Sequence, residues 1–159
     1  MAELKHLRSG WDVDRHIVLE QEKLVCIRFS SFATTNTAHS DPVSSQYHSA
    51  VARMDEVLVS VAEAVRKYCV IYAVDTNEVP QFNALYELGS GEEPFALMFF
   101  YRNDHIRMDV DSGNTNKINF IVDDRESLIQ LLEEAYVVGK KGKTSGRSKG
   151  KFNHVAVRR

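Results

Sequence analysis

Glu93-Pro94-Phe95-Ala96-Leu97-Met98-Phe99-Phe100-Tyr101, then Arg102-Asn103-Asp104-His105, then Ile106-Arg107-Met108-Asp109-Val110, and last an Asn-rich loop closing on Lys117-Ile118-Asn119-Phe120: this stretch decides the fold. Phe95 to Tyr101 is apolar and aromatic almost without a break, too short to cross a membrane and suited to a strand covered on both faces. Arg102 to His105 supplies turn chemistry. Ile106, Met108 and Val110 then alternate with Arg107, Asp109 and Asp111, the pattern of an edge strand with one wet face. The two runs make a hairpin with one buried arm and one half-buried arm. Pro94 has no N–H to give a ladder, so it sits where the strand begins and is a candidate cis-proline.

Working outward, 159 residues with 43% hydrophobic content suffice for one domain and one core. No early stretch has the basic start, apolar run and small-residue cleavage site of a secretory leader, and nothing directs membrane insertion. Cys26 and Cys69 lie far apart in separate apolar runs, which makes neither a disulfide framework nor a zinc pattern; both read as buried thiols in a reducing compartment. The formal charge of -2 hides an asymmetry. After Val138 the chain carries Lys140, Lys141, Lys143, Arg147, Lys149, Lys151, Arg158 and Arg159 and no acid, leaving an acidic body of about -10. An acidic body therefore carries a basic tail.

Asp12 or Asp14 is placed to cap a short helix with Val13, Ile17 and Val18 inward. Leu24 to Phe29 reads as a strand, with a surprising Arg28 beside Leu24 and Cys26. The segment at about 31–49 is polar and without period, and reads as a disordered insertion. Val51, Met54, Val57, Leu58, Val61, Ala62 and Val65 recur at helical spacing, and Cys69 to Val74 is a β-branched strand. Pro80 to Leu88 is a second helix with Phe82, Leu85 and Tyr86 as its apolar contacts, and Asp123 or Asp124 caps a last one bearing Leu128, Leu131, Leu132, Ala135 and Tyr136. From Gly139 the chain is glycine, serine and cation, which bury no core. The expected organisation is a domain over 1–138 and a flexible basic tail over 139–159. Helices and strands alternate as in an α/β layer with a mixed central sheet.

Several segments are more specific than that order. They are Gly10-Trp11 with Val13-Asp14, Ile27-Arg28-Phe29, Met54-Asp55-Glu56-Val57-Leu58, Val70-Ile71-Tyr72 with Val74-Asp75, Glu78-Val79-Pro80 and Met98-Phe99-Phe100. The strongest is Arg102-Asn103, His105-Ile106, Asp109, Gly113-Asn114 and Asn116-Lys117-Ile118-Asn119. Together, over roughly Leu7 to Lys141, they resemble the spliceosomal thioredoxin-like protein family, the small thioredoxin-fold subunit of the U5 snRNP and tri-snRNP. The presence of both Arg-Asn-x-His-Ile and Asn-Lys-Ile-Asn brings the chain closer to the principal splicing subunit than to its paralogue. The resemblance implies a thioredoxin-like fold, a nuclear location, pre-mRNA splicing and docking to large scaffold proteins, with no small-molecule substrate and no membrane. Two departures stand out. The 31–49 insertion replaces a short loop, and the family's basic, tyrosine-containing end is replaced by a glycine-rich basic tail.

Dithiol exchange on a thioredoxin fold needs an attacking and a resolving cysteine at a helix start, which here would fall between Phe29 and Met54. That interval holds no cysteine, and the position before the strand phenylalanine, a carboxylate in active thioredoxins, is Arg28. The chain therefore reads as non-enzymatic, without a cofactor. The competing reading is a thiol-dependent redox regulator using Cys26 or Cys69, and a bridge between those two stays open beside two separate core thiols. The six histidines are scattered without a helical pair or cysteine partner, so they propose no metal site. Asn114, Asn116, Lys117 and Asn119 are candidate protein-docking residues, with organisation of their own turn as the plainer role. Lys140, Lys141, Lys143, Arg147, Lys149 and Lys151 are candidates for weak contact with small nuclear RNA or for an import signal; a solubilising tail reads equally well.

Overall fold

The structure is a computed structural model that describes residues 4–30, 42–86, 88, 95–122, 124–150 and 152, with the side chains of α2 described from residue 51 onward. The elements run β1 (Lys5–His6), α1 (Gly10–Leu19), β2 (Leu24–Ser30), α2 (Pro42–Val65), β3 (Cys69–Asp75), a 3-10 turn (Pro80–Phe82), α3 (Asn83–Tyr86), β4 (Phe95–Tyr101), β5 (Asp104–Asp109), α4 (Arg125–Lys140) and β6 (Ser145–Arg147). Six strands form one mixed sheet in the order β1-β3-β2-β4-β5-β6. β2 lies at its centre, parallel to β3 and antiparallel to β4.

All seven residues of β4 are buried, as its apolar run requires. Arg102 (φ 50) and Asn103 (φ 71) are both left-handed, the backbone a two-residue hairpin needs to follow the strand twist, and Tyr101 pairs directly with Asp104. The turn is thus tighter than the four polar residues suggested, and β5 begins two residues sooner. Ile118 closes the stretch by bridging to Leu97 on the edge of β4 that faces away from β2. The candidate cis-proline Pro94 lies outside the described residues, as does the segment 31–41.

Alternation along β2 splits the interior in two. Leu24 and Cys26 point into the larger core, with Met54, Leu58 and Val61 of α2 and Leu128, Leu131 and Leu132 of α4. Val25, Ile27 and Phe29 point into the smaller one, with Val13 and Ile17 of α1, Phe82 of the 3-10 turn, Met98 and Phe100.

Several expectations need correction. Ser9, rather than Asp12 or Asp14, caps α1, its hydroxyl accepting from the Asp12 amide at 3.0 Å. Val18 is exposed, because the buried face of α1 is carried by Gly10, Val13 and Ile17. The insertion is not irregular to its end: α2 begins at Pro42, where the missing proline N–H costs a helix nothing. The second helix shrinks to a 3-10 turn and a single helical turn, leaving Leu85 exposed.

The largest difference is the tail. Residues 139–150 are neither a separate nor a loose appendage in this structure: α4 runs through Lys140, Gly142 (φ 77) turns the chain, and β6 pairs parallel with β5. β5 is therefore not an edge. Glycine and serine supply little side-chain burial, but they supply backbone and close approach. A Cβ on Gly146 would collide with Val138 of α4, and its absence lets β6 lie against that helix. Arg147 pairs with Asp109 at 3.2 Å and Asp111 at 2.8 Å, while the buried Ser148 hydroxyl and the Lys149 amide both donate to the Glu134 carboxylate. Phe152 packs near Phe120. Lys151 and residues 153–159 lie outside the described part.

Candidate docking surface and the buried thiols

The Asn-rich loop is built by its own side chains. Asp111 and Gly113 take positive φ, and the Asn114 side-chain oxygen accepts the amides of Asn116 at 3.0 Å and Lys117 at 3.3 Å. This fold-back delivers Lys117 inward. Its ammonium donates to the Tyr86 carbonyl at 2.8 Å, so a cation meets the carbonyl end of α3, where the backbone dipole favours it. Lys117 is only 3% exposed, which makes it a strut more than a surface group. Asn119 is half-buried two residues on.

On β5, His105 donates from Nε2 to the Asn116 carbonyl at 2.8 Å and packs on Phe100, with ring centres 5.4 Å apart. Burial pushes its pKa below the usual histidine value, with Arg107 adding to that and the Asn116 bond opposing it. A neutral ring therefore faces an open pocket of about 230 Å³, lined by Leu85, Tyr86, Met98, His105, Asn114, Asn116 and Lys117. Three of the four sequence candidates, Asn114, Asn116 and Lys117, thus meet in one place. The sequence reading did not single out the apolar half of this surface. Leu85 is 70% exposed and Trp11 of α1 is 72% exposed, its ring carrying the Arg15 guanidinium at 5.0 Å. Burial raises the Tyr86 pKa, and the Asp14 carboxylate adds to that. Leu85 and Tyr86 stand at a pocket rimmed by polar groups, and Trp11 is a second exposed apolar side chain, on α1, of the type enriched at protein interfaces. No sequence signal singled them out: Leu85 read as an apolar contact of a helix over Pro80 to Leu88, and Trp11 entered only with the Gly10-Trp11 segment.

The other face holds the thiols. Cys26 and Cys69 are both buried free cysteines, and burial pushes the Cys26 thiol up to about 12. Cys69 is raised as well, first by burial and then by the neighbouring Cys26. Cys69 pairs with Leu24 and Cys26 with Ile71, so the cysteines sit diagonally on adjacent strands. Strand spacing and rise put such a pair about 8 Å apart at Cα, beyond disulfide reach. Two separate core thiols is the arrangement observed.

Arg28 is 1% exposed and grips Asp55 of α2 with Nε and Nη2, both at 2.9 Å, while Nη1 donates to the Ser30 hydroxyl. Burial raises the Asp55 pKa, and the Arg28 charge and hydrogen bonds pull it back down. Two of the motif segments, Ile27-Arg28-Phe29 and Met54-Asp55-Glu56, are thus joined by a bidentate ion pair. Of the tail cations, Arg147 is tied to two carboxylates and Lys140 leans over the Tyr136 ring at 5.9 Å. Lys141, Lys143 and Lys149 are exposed. Among the described residues no three His, Cys, Asp or Glu side chains gather as a metal set, and no helix is long and apolar enough to cross a membrane.

Comparison with known proteins bears on this geometry. The family model described as "Mitosis protein DIM1" matches residues 3–152. The chain belongs to the DIM1 family. Within it, the "Spliceosomal protein DIB1" of Eremothecium gossypii is 40% identical over 154 residues, covering 97% of this chain and 96% of that protein. The "Mitosis protein dim1" of Schizosaccharomyces pombe is 41% identical over 140 residues, 88% and 87% of the two chains. The DIM1 match runs through β6, which agrees with a tail that belongs to the fold. Among solved structures, a mutant thioredoxin from Halobacterium salinarum superposes with a TM-score of 0.53 at 14% identity, covering 84% of this chain and 91% of that one. The DIM1 chain has a thioredoxin-like fold, an α/β architecture with a mixed central sheet.

Proposed function

We propose that this DIM1-family chain is a non-catalytic, nuclear subunit of the U5 snRNP and tri-snRNP that serves pre-mRNA splicing by docking to large scaffold proteins. The carrying observation is the match, end to end in both chains, to a relative named a spliceosomal protein. The docking mechanism draws support from the pocket that Leu85, Tyr86 and His105 line with a polar rim, and from the exposed Trp11 on α1. The non-catalytic reading draws support from the thiols: both cysteines are buried and both are raised in pKa, whereas exchange requires an accessible thiolate. Lys141, Lys143 and Lys149 add weak, sequence-independent attraction to small nuclear RNA. The test is purification of the tagged protein from nuclear extract at moderate salt, probing for small nuclear RNAs. Recovery of U5 RNA with large tri-snRNP proteins is the expected result; recovery of neither, from an extract with intact particles, contradicts the proposal.

A further inference from the structure

We infer that Ser145 is a phosphorylation site, and that Arg107 and Arg147 form a ready clamp for the phosphate it would carry. Ser145 opens β6 and is exposed, and its register partner on β5 is Arg107. Register partners in a parallel pair lie side by side on one face of the sheet. The face is fixed by Gly146, which is turned toward Val138 of α4 and the Met108 sulfur. Ser145 and Arg147 therefore share the opposite face with Arg107 and Asp109, as the Arg147–Asp109 ion pair shows. A serine hydroxyl thus stands between one arginine across the ladder and another two residues along its own strand. Arg107 makes no ion pair with a carboxylate among the described residues, although it is exposed two residues before Asp109 on the same strand.

The neighbouring serine and threonine are less suited. Ser148 is buried and bonded to Glu134, and Thr144 precedes β6, with only its backbone carbonyl tied to β5 through the Arg107 amide and no register partner among the strand residues. β6 is a three-residue strand at the free edge of the sheet, an element that opens at low cost for an enzyme to bind in extended form. Lys141 and Lys143 precede Ser145 and Arg147 and Lys149 follow it, the flanking charge that a basic-directed serine kinase selects. In the reaction the Ser145 oxygen attacks the γ-phosphorus of ATP. The new O–P bond replaces the bond to ADP, and the hydroxyl proton passes to the kinase base.

The added group brings about two negative charges and three acceptor oxygens to a segment now wholly cationic. Arg107, Arg147 and Lys143 would favour its dianion; Asp109 and Asp111 oppose it, and His105 on the same face of β5 is held neutral by burial. Arg147 would then be shared between phosphate and carboxylates. The modification acts in two ways, pinning β6 to β5 and cancelling much of the charge available to RNA phosphates.

The experiment treats the full chain with the catalytic domain of protein kinase C, ATP and Mg²⁺, maps the product by mass spectrometry, and titrates it by ³¹P NMR. Transfer to Ser145 is expected, with the phosphate titrating roughly half a pH unit or more below its value in the denatured chain. Arg107→Gln is expected to return that midpoint toward the denatured value without altering the far-UV spectrum. Modification of Thr144 or Ser148 with Ser145 untouched overturns the site. So does no transfer to the folded chain under conditions that modify a peptide of residues 139–151. A titration equal to the denatured one and indifferent to Arg107→Gln overturns the clamp.

Discussion

The two faces of the sheet differ in what they leave outside. Under α2 and α4, the larger core encloses Cys26 and Cys69 and is closed at its end by Arg28 and Asp55. Under α1 and α3, the smaller core ends at a pocket lined by the exposed Leu85, and α1 carries the exposed Trp11. This thioredoxin-like fold thus keeps its thiols inside on one side and exposes apolar side chains on the other. The two thiols are buried on the first side, and the pocket with His105 opens on the second.

The contrast breaks first where the closed face depends on one ion pair. Asp55→Ala would leave the buried Arg28 guanidinium without its bidentate partner, costing about 3 kcal/mol. A melting temperature lowered by roughly 6–12 °C is expected for a chain of this size. A shift of under about 2 °C would show that water or another group satisfies Arg28 in its place.

Gly146→Val is expected to cost about 1–3 kcal/mol, since the added side chain collides with Val138 and lifts β6 from α4. Hydrogen exchange separates this from global unfolding, because the backbone amides that bond β5 to β6, Arg107 to Thr144 and Ser148 to Asp109, should lose protection while those between β2 and β3 keep it. Equal loss everywhere would instead make β6 part of the cooperative core.

On the open face, Trp11→Ala with Leu85→Ala should change stability by less than about 0.5 kcal/mol each, as expected of exposed positions. The same pair should reduce co-purification with particle proteins severalfold, because exposed aromatic and aliphatic anchors carry interface energy out of proportion to their number. Unchanged recovery would move the docking surface elsewhere.

The smallest effect is in pH. The folded His105 pKa lies below the ordinary value, so the unfolded chain binds the proton more readily. Stability contributed by the neutral ring is full above the unfolded pKa of about 6.5 and is lost as pH falls from there through the folded pKa. His105→Gln should flatten the dependence of melting temperature on pH between about 7 and 5. An unaltered slope would assign that dependence to other groups.

How far the sequence could be read follows the same division. Phe95 to Tyr101 announced a central strand because burial on both faces leaves an unbroken apolar run, and Arg102-Asn103 announced the turn. Asn114, Asn116 and Lys117 could be grouped because they are neighbours in the chain; that Lys117 is buried could not, since its partner carbonyl lies at Tyr86. Arg28 was visibly out of place in an apolar strand, and only the fold brings Asp55 to it across twenty-seven residues. β6 was illegible because a glycine-and-serine strand is held by backbone bonds and by the lack of a side chain, neither of which produces a hydrophobic pattern. Leu85 and Trp11 were hidden for the opposite reason, as apolar residues that periodicity tends to assign to a core.

The most direct test of the account is whether splicing needs the thiols at all. Cys26→Ala with Cys69→Ala removes both sulfurs at the cost of two small cavities, and the variant can be matched to the parent by circular dichroism before use. Added to a nuclear extract depleted of the native protein, the folded double variant is expected to restore pre-mRNA splicing and U5 RNA recovery to the level of the parent chain. Restoration by the parent but not by the folded thiol-free variant would contradict the docking account and return the function to Cys26 and Cys69.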